Sequence, residues 1–159
     1  MAENEQLNGQ PQNQFGLQRI YIKDLSYEAP NTPAIFKGEW KPEVNMELNN
    51  KSSKVDGDYF EVVLSLTLTV KNGEQVAYLV EIQQAGLFLV KGVGDQQLPH
   101  LLGSYCPSML FPYAREAISD VVGKGSFPQM LLAPVNFDAL FAEAMKRRQA
   151  QTNEKVTLN

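Results

Sequence analysis

One cysteine and one histidine in 159 residues leave little material for chemistry. Cys106 has no partner for an internal disulfide, which fits a reducing compartment. His100 is accompanied by no second histidine and no cysteine cluster at ligand spacing, so no metal site is expected. The run KGVGDQ lacks the spacing of a phosphate-binding glycine loop, which excludes the commonest nucleotide signature. Basic residues are outnumbered, 14 Lys and Arg against 18 Asp and Glu, and no basic stripe is available for nucleic acid or an anionic membrane. Nor is there an uninterrupted apolar run of about 18 residues, the best candidate being broken by Glu81, Gln83 and Gln84, so no membrane insertion is expected. MAENEQLNGQPQNQ has neither a positive start nor an apolar core, unlike a secretory leader. No catalytic residue and no cofactor are therefore assigned. One enzyme alternative stays open, with Cys106 as nucleophile and His100 as base on an acyl or other apolar ligand.

What the chain does have is alternation. In DYFEVVLSLTLTV, Phe60, Val62, Leu64, Leu66, Leu68 and Val70 fall on every second position, the mark of a strand with one buried face. Val76, Tyr78, Val80 and Ile82 keep the same beat after the turn KNGE, so the two segments read as a β-hairpin. A three-residue loop from Lys71 to Gly73, with a glycine bulge, sets Leu68 opposite Val76, Leu66 opposite Tyr78 and Val62 opposite Ile82. Leu79 and Glu81 then lie on the outer face, because a slip of one residue would invert the strand.

Upstream, FGLQRIYIKDLSY reads as a strand with Ile20 and Ile22 on one side and Leu17, Tyr21, Leu25 and Tyr27 on the other. EAPNTPAIFKGEWKP, with three prolines, is a long connection carrying Ile35, Phe36 and the sole tryptophan, Trp40. Val44, Met46 and Leu48 mark a fourth strand, followed by the polar turn NNKSSKVDGD. KGVGDQQLPHLLG reads as a loop. A helix follows from near Ser108 to Gly123 or Gly125, with Pro112 tolerated only in its first turn. Asn136 caps a second helix whose Phe137, Leu140, Phe141, Ala144 and Met145 form one stripe, ending at Lys146, Arg147 and Arg148. The expected domains are a disordered tail over 1–14, one globular unit over 15–149 and a flexible tail over 150–159.

Two helices are too few for this sheet. One of about 13 residues spans only ~20 Å, so apolar surface must remain for another subunit or a ligand. Acids also stand beside hydrophobes in KDLSYE and YLVEI, where Asp24, Glu28, Leu79 and Glu81 form a candidate acidic patch with an aliphatic centre.

The segments QRIYIKDLSYEAPN, VEIQQAG, SYCPSMLFPYARE and FPQMLLAPVNFDALF together resemble the SecB family of bacterial protein-export chaperones, over about Phe15 to Phe141. The resemblance implies an α+β subunit: a four-stranded antiparallel sheet with a crossover loop and two C-terminal helices. It further implies a cytoplasmic homotetramer, a dimer of dimers, in which the positions matching Tyr78, Val80, Ile82 and Gln84 face the interface between dimers. Unfolded precursor proteins would be held without ATP in a groove including Ile35, Phe36, Trp40, Leu140 and Phe141, then delivered to the SecA ATPase. The family's SecA-docking positions match Asp24, Glu28, Leu79 and Glu81. A non-export chaperone on the same fold, antitoxin-linked or general, is the third reading.

Overall fold

The computed structural model describes residues 13–157. The tail expected over 1–14 therefore lies outside the described residues except for its last two, of which Gln14 already opens a strand. Four strands, β1 (Gln14–Glu28), β2 (Pro42–Asp56), β3 (Tyr59–Asn72) and β4 (Gln75–Lys91), form one antiparallel sheet in the order β1-β4-β3-β2. A crossover between β1 and β2 contains a short 3₁₀ turn, Ala34–Phe36. After the sheet, α1 (Leu98–His100) runs through a π-helical turn, Leu101–Tyr105, into α2 (Cys106–Lys124), and α3 (Phe137–Thr157) ends the described chain.

The core is the inner sheet face covered by α2. Val62, Leu64, Leu66, Leu68 and Val70 meet Leu110, Ala114, Ile118 and Val122, all buried. α2 packs on β4 and β3 and touches β1. It does not extend over β2, so Val44 and Met46 on the inner face remain 49% and 37% exposed.

Several expectations change in register. The hairpin pairs Leu66 with Ile82 and Val62 with Gly86, four residues from the expected alignment. The strands continue to Asn72 and Gln75, with a bulge after Val70, and Gly73 (φ +67°) opens a two-residue turn with Glu74. Because four is even, facing is preserved: Leu79 and Glu81 do point outward. β1 departs further. Shifts between Leu17 and Arg19 and between Ile22 and Asp24 re-phase it twice. Leu17, Ile20, Ile22, Leu25 and Tyr27, opposite Phe88, Gly86, Gln84, Ile82 and Val80, thus all share the inner face rather than two faces.

β2 extends through the expected polar turn NNKSSKVDGD to Asp56, paired with β3 with one register shift between Lys54 and Asp56. The helical run begins at Leu98, placing His100 in a helix rather than a loop. Pro112 lies inside α2, not in its first turn. Both Pro112 and Ser108, whose carbonyl it leaves unpaired, are on the exposed side, which lowers the cost. From residue 150 the expected flexible tail is instead a continuation of α3 through Thr157.

Candidate functional site: an open apolar row and an opposed acidic patch

Among the described residues, no helix covers the outer face of the sheet. Across β1 and β4, Asp24 stands opposite Gln83, Ser26 opposite Glu81, and Glu28 opposite Leu79. Asp24, Glu28, Leu79 and Glu81 therefore form one patch on two adjacent strands. The three acids are exposed, Leu79 is half-buried between them, and none of the acids has a salt-bridge partner among the described residues. The other end of this face differs. Tyr21 donates to Glu61, and Lys23 Nζ lies 3.0 Å from the same carboxylate. The Tyr21 hydrogen bond and Lys23 hold Glu61 below its usual range despite burial, while burial, that hydrogen bond and Glu61's charge push Tyr21 up to about 12. This neutralised cluster, not evident from spacing, confines uncompensated acid to the hairpin end.

The expected groove residues divide into two groups. Ile35 is 6% exposed and belongs to the core. Phe36 and Trp40 pack on Phe127, with ring centroids 5.2 and 5.6 Å away, and Tyr78 lies 4.9 Å from Phe127. Phe127, assigned by the sequence to a mere connector, is thus the centre of the crossover cluster. The crossover is tied to the hairpin: Asn31 Nδ2 donates to the Val76 carbonyl at 2.9 Å. Asn72 Nδ2 donates to the Glu39 carbonyl at 3.0 Å, and its Oδ1 accepts from Lys41 N at 2.9 Å. Asn72→Ala, which removes both hydrogen bonds, should loosen the crossover at a cost of about 1–2 kcal/mol. A red shift in Trp40 fluorescence with little loss of helix would report it.

Leu140 and Phe141 lie at the far end of α2. There a cleft of about 820 Å³ opens between α3, the edge of β2 around Leu48 and Asn50, and the helical lead-in at Leu98 and Leu102. The first turn of α3 anchors it. Asn136 Oδ1 accepts from Ala139 N at 3.0 Å, as the expected cap, and Phe137 is buried edge-on to Phe111 at 5.9 Å. Gly103 permits the approach of Phe141, whose ring would lie 2.8 Å from any Cβ there. Beyond this turn the stripe stays in solvent: Leu140 is 41% exposed and Met145 37%.

Asp138 Oδ1 accepts a hydrogen bond from Ser104 Oγ at 2.5 Å and lies 2.7 Å from His100 Nε2. The Ser104 hydrogen bond and then His100 hold its carboxyl below the ordinary range. A carboxylate with a lowered folded-state pKa contributes fully above its unfolded value, about 4, and the contribution disappears as pH falls through the folded value. Acidification through that window should free the start of α3. Amide exchange around Phe137 to Phe141 should rise in the wild type, and Asp138→Asn should abolish that pH step.

Trp40 and Leu48 are joined by a row on the inner face of β2. Val44, Met46 and Leu48 face the same way as Val70, Leu68 and Leu66, so open apolar surface runs for about 13 Å of strand between the crossover cluster and the cleft.

Tyr78, Val80, Ile82 and Gln84 are each at most 2% exposed within the single chain. Gln84 Nε2 donates to the Tyr21 carbonyl at 3.2 Å. Cys106 is fully buried, and burial pushes its thiol up to about 12, which leaves the nucleophile alternative without an accessible thiolate. Among the described residues, no helix is long and apolar enough to cross a membrane.

Comparison with known proteins agrees with this architecture. The family model "Preprotein translocase subunit SecB" matches residues 8–148. The protein-export protein SecB of Marinobacter nauticus is 58% identical over 154 residues, covering 95% of this chain and 93% of that protein. Its counterpart in Pseudomonas syringae pv. tomato is 58% identical over 136 residues, covering 86% and 83%. Among solved structures, a Mycobacterium tuberculosis SecB-like chaperone in complex with an antitoxin-derived peptide superposes with a TM-score of 0.63 at 19% identity, over 76% of this chain and 90% of that one. The fold is shared with that chaperone, and the family follows from the close relatives: the chain belongs to the SecB family of protein-export chaperones.

Proposed function

We propose that the chain is an ATP-independent holdase that binds unfolded precursor proteins in the cytoplasm, keeps them translocation-competent and passes them to the SecA ATPase. The observation that carries this reading is the open row from Trp40 through Met46 to Leu140. A row of pockets beside a strand edge accepts many extended sequences without reading any one closely. Binding only the non-native state opposes folding by mass action, with no need for nucleotide. Asp24, Glu28, Leu79 and Glu81 lie on the opposite face of the sheet, so SecA can dock while a client is held.

In the same proposal four subunits assemble as a dimer of dimers. Inner-face residues not covered by α2, Ile22 at 47% and Leu25 at 40% exposure, with Tyr105 in the turn leading into α2 at 50% and Tyr113 on α2 at 51%, supply the contact surface. Tyr78, Val80, Ile82 and Gln84 act from beneath by holding α2 in place. The test of holdase function is dilution of a denatured precursor into nucleotide-free buffer. Refolding should slow in proportion to chaperone up to stoichiometry, and an unchanged refolding rate at excess chaperone would refute the reading.

A further inference from the structure

The sequence contains two Asn-Gly pairs, Asn8-Gly9 and Asn72-Gly73, and the second closes the hairpin between β3 and β4. An asparagine before glycine is the pair most prone to attack on its own side chain, because glycine has no Cβ to shield its amide nitrogen. Gly73 is exposed, and apart from its chain neighbours nothing lies within 4 Å of where a Cβ would stand. Asn72 has the opposite surroundings. It is half-buried, its Nδ2 donates to the Glu39 carbonyl at 3.0 Å, and its Oδ1 accepts from Lys41 N at 2.9 Å. Its backbone stands in the ladder opposite Gln75 on one side and Pro42 on the other. The electrophilic carbon is thus held towards the crossover by both of its heteroatoms, while the nucleophile stands free in the turn.

We infer that Asn72 is a site of spontaneous deamidation gated by the crossover: it reacts when the crossover is released from the hairpin, and its products keep the crossover from closing again. The Gly73 amide nitrogen, losing its proton to solvent base, bonds to Asn72 Cγ. The Cγ–Nδ2 bond breaks and that nitrogen departs as ammonia, leaving a five-membered succinimide. Water then opens the ring. Cleavage between the ring nitrogen and Cγ leaves aspartate; cleavage between the ring nitrogen and the main-chain carbonyl carbon leaves isoaspartate, whose chain runs through Cβ and Cγ. Water is the only co-reactant, and no oxidant or reductant takes part. Ring closure turns Cγ to the Gly73 nitrogen and expels Nδ2, so both hydrogen bonds to the crossover must open first. Aspartate keeps an acceptor for Lys41 N but offers the Glu39 carbonyl no donor and sets a negative oxygen against it. Isoaspartate adds a carbon to the backbone at the end of β3 and displaces the pairing with Gln75. Neither product restores the clasp, and none of this depends on the holdase reading.

The test incubates the full-length chain and a synthetic peptide spanning Val70 to Gln75 in the same mildly alkaline buffer. Peptide mapping by mass follows Asn72 separately from Asn8. The two hydrogen bonds should slow the reaction in the folded chain about thirtyfold relative to the peptide. Asn31→Ala removes the tie between the crossover and the Val76 carbonyl without touching Asn72, and should speed the reaction about fivefold. Phe36→Ala, which takes one ring from the Phe127 cluster, is a second loosening variant and should act in the same direction; circular dichroism checks that each variant is folded. The deamidated fraction, and Asn72→Asp as one product made directly, should show Trp40 fluorescence to the red of the unreacted chain. Equal rates in chain and peptide, or no acceleration in either folded variant, would overturn the gate. An Asn72 that stays intact in every chain after the peptide has fully reacted would overturn the site, and unshifted fluorescence in the deamidated fraction would overturn the loosening.

Discussion

Leu79→Ala combined with Glu81→Lys is expected to weaken SecA binding about a hundredfold and leave capture of unfolded precursor unchanged. Leu79 is half-buried and flanked by the carboxylates of Glu28 and Glu81. Covering the rest of such a side chain in a partner contributes about 1–2 kcal/mol. Reversing the adjacent charge replaces an attraction by a repulsion, for roughly another 1–2 kcal/mol. Neither residue supports the core, since both point away from α2. Titration of the variant with labelled SecA and, separately, with unfolded precursor measures the two affinities. Equal losses in both would show that the two faces do not divide the work.

Leu140→Asp combined with Met46→Asp should have the complementary effect: loss of client binding by about 3 kcal/mol, roughly a hundredfold, with SecA binding retained. Leu140 lines the cleft beside α3 and Met46 lies on the inner face of β2. At 41% and 37% exposure they already stand in water, so the substitutions should leave the melting temperature within a few degrees of the wild type. Isothermal titration against an unfolded precursor, alongside a thermal melt, separates lost binding from lost folding. Undiminished client affinity would place the holding surface elsewhere.

How much of this was legible in the sequence depends on whether the signal was periodic. The outward direction of Leu79 and Glu81 could be read because strand facing has a period of two, and it survived a four-residue error in register. That error arose because Asn72 does not serve as the turn residue its place before Gly73 suggests: its amide clasps the crossover instead. The two interruptions in β1 leave no mark in composition, so its apolar residues were divided between faces that the bulges bring together. The stripe on α3 was plain from its spacing, but periodicity cannot say whether a stripe is covered. Here only its first turn is buried, and the remainder lines the cleft. Phe127 was hidden because its role is tertiary, set by Phe36 and Trp40 from the crossover and Tyr78 from β4.

The most direct measurement places a photo-crosslinking side chain in turn at Met46, at Leu140 and, on the opposite face, at Gln83, then mixes each variant with unfolded precursor in the absence of nucleotide. The predicted result is abundant adducts from Met46 and Leu140 and almost none from Gln83. Adducts concentrated at Gln83, or none at any position while the precursor refolds at its spontaneous rate, would contradict the claim that the open row holds the client.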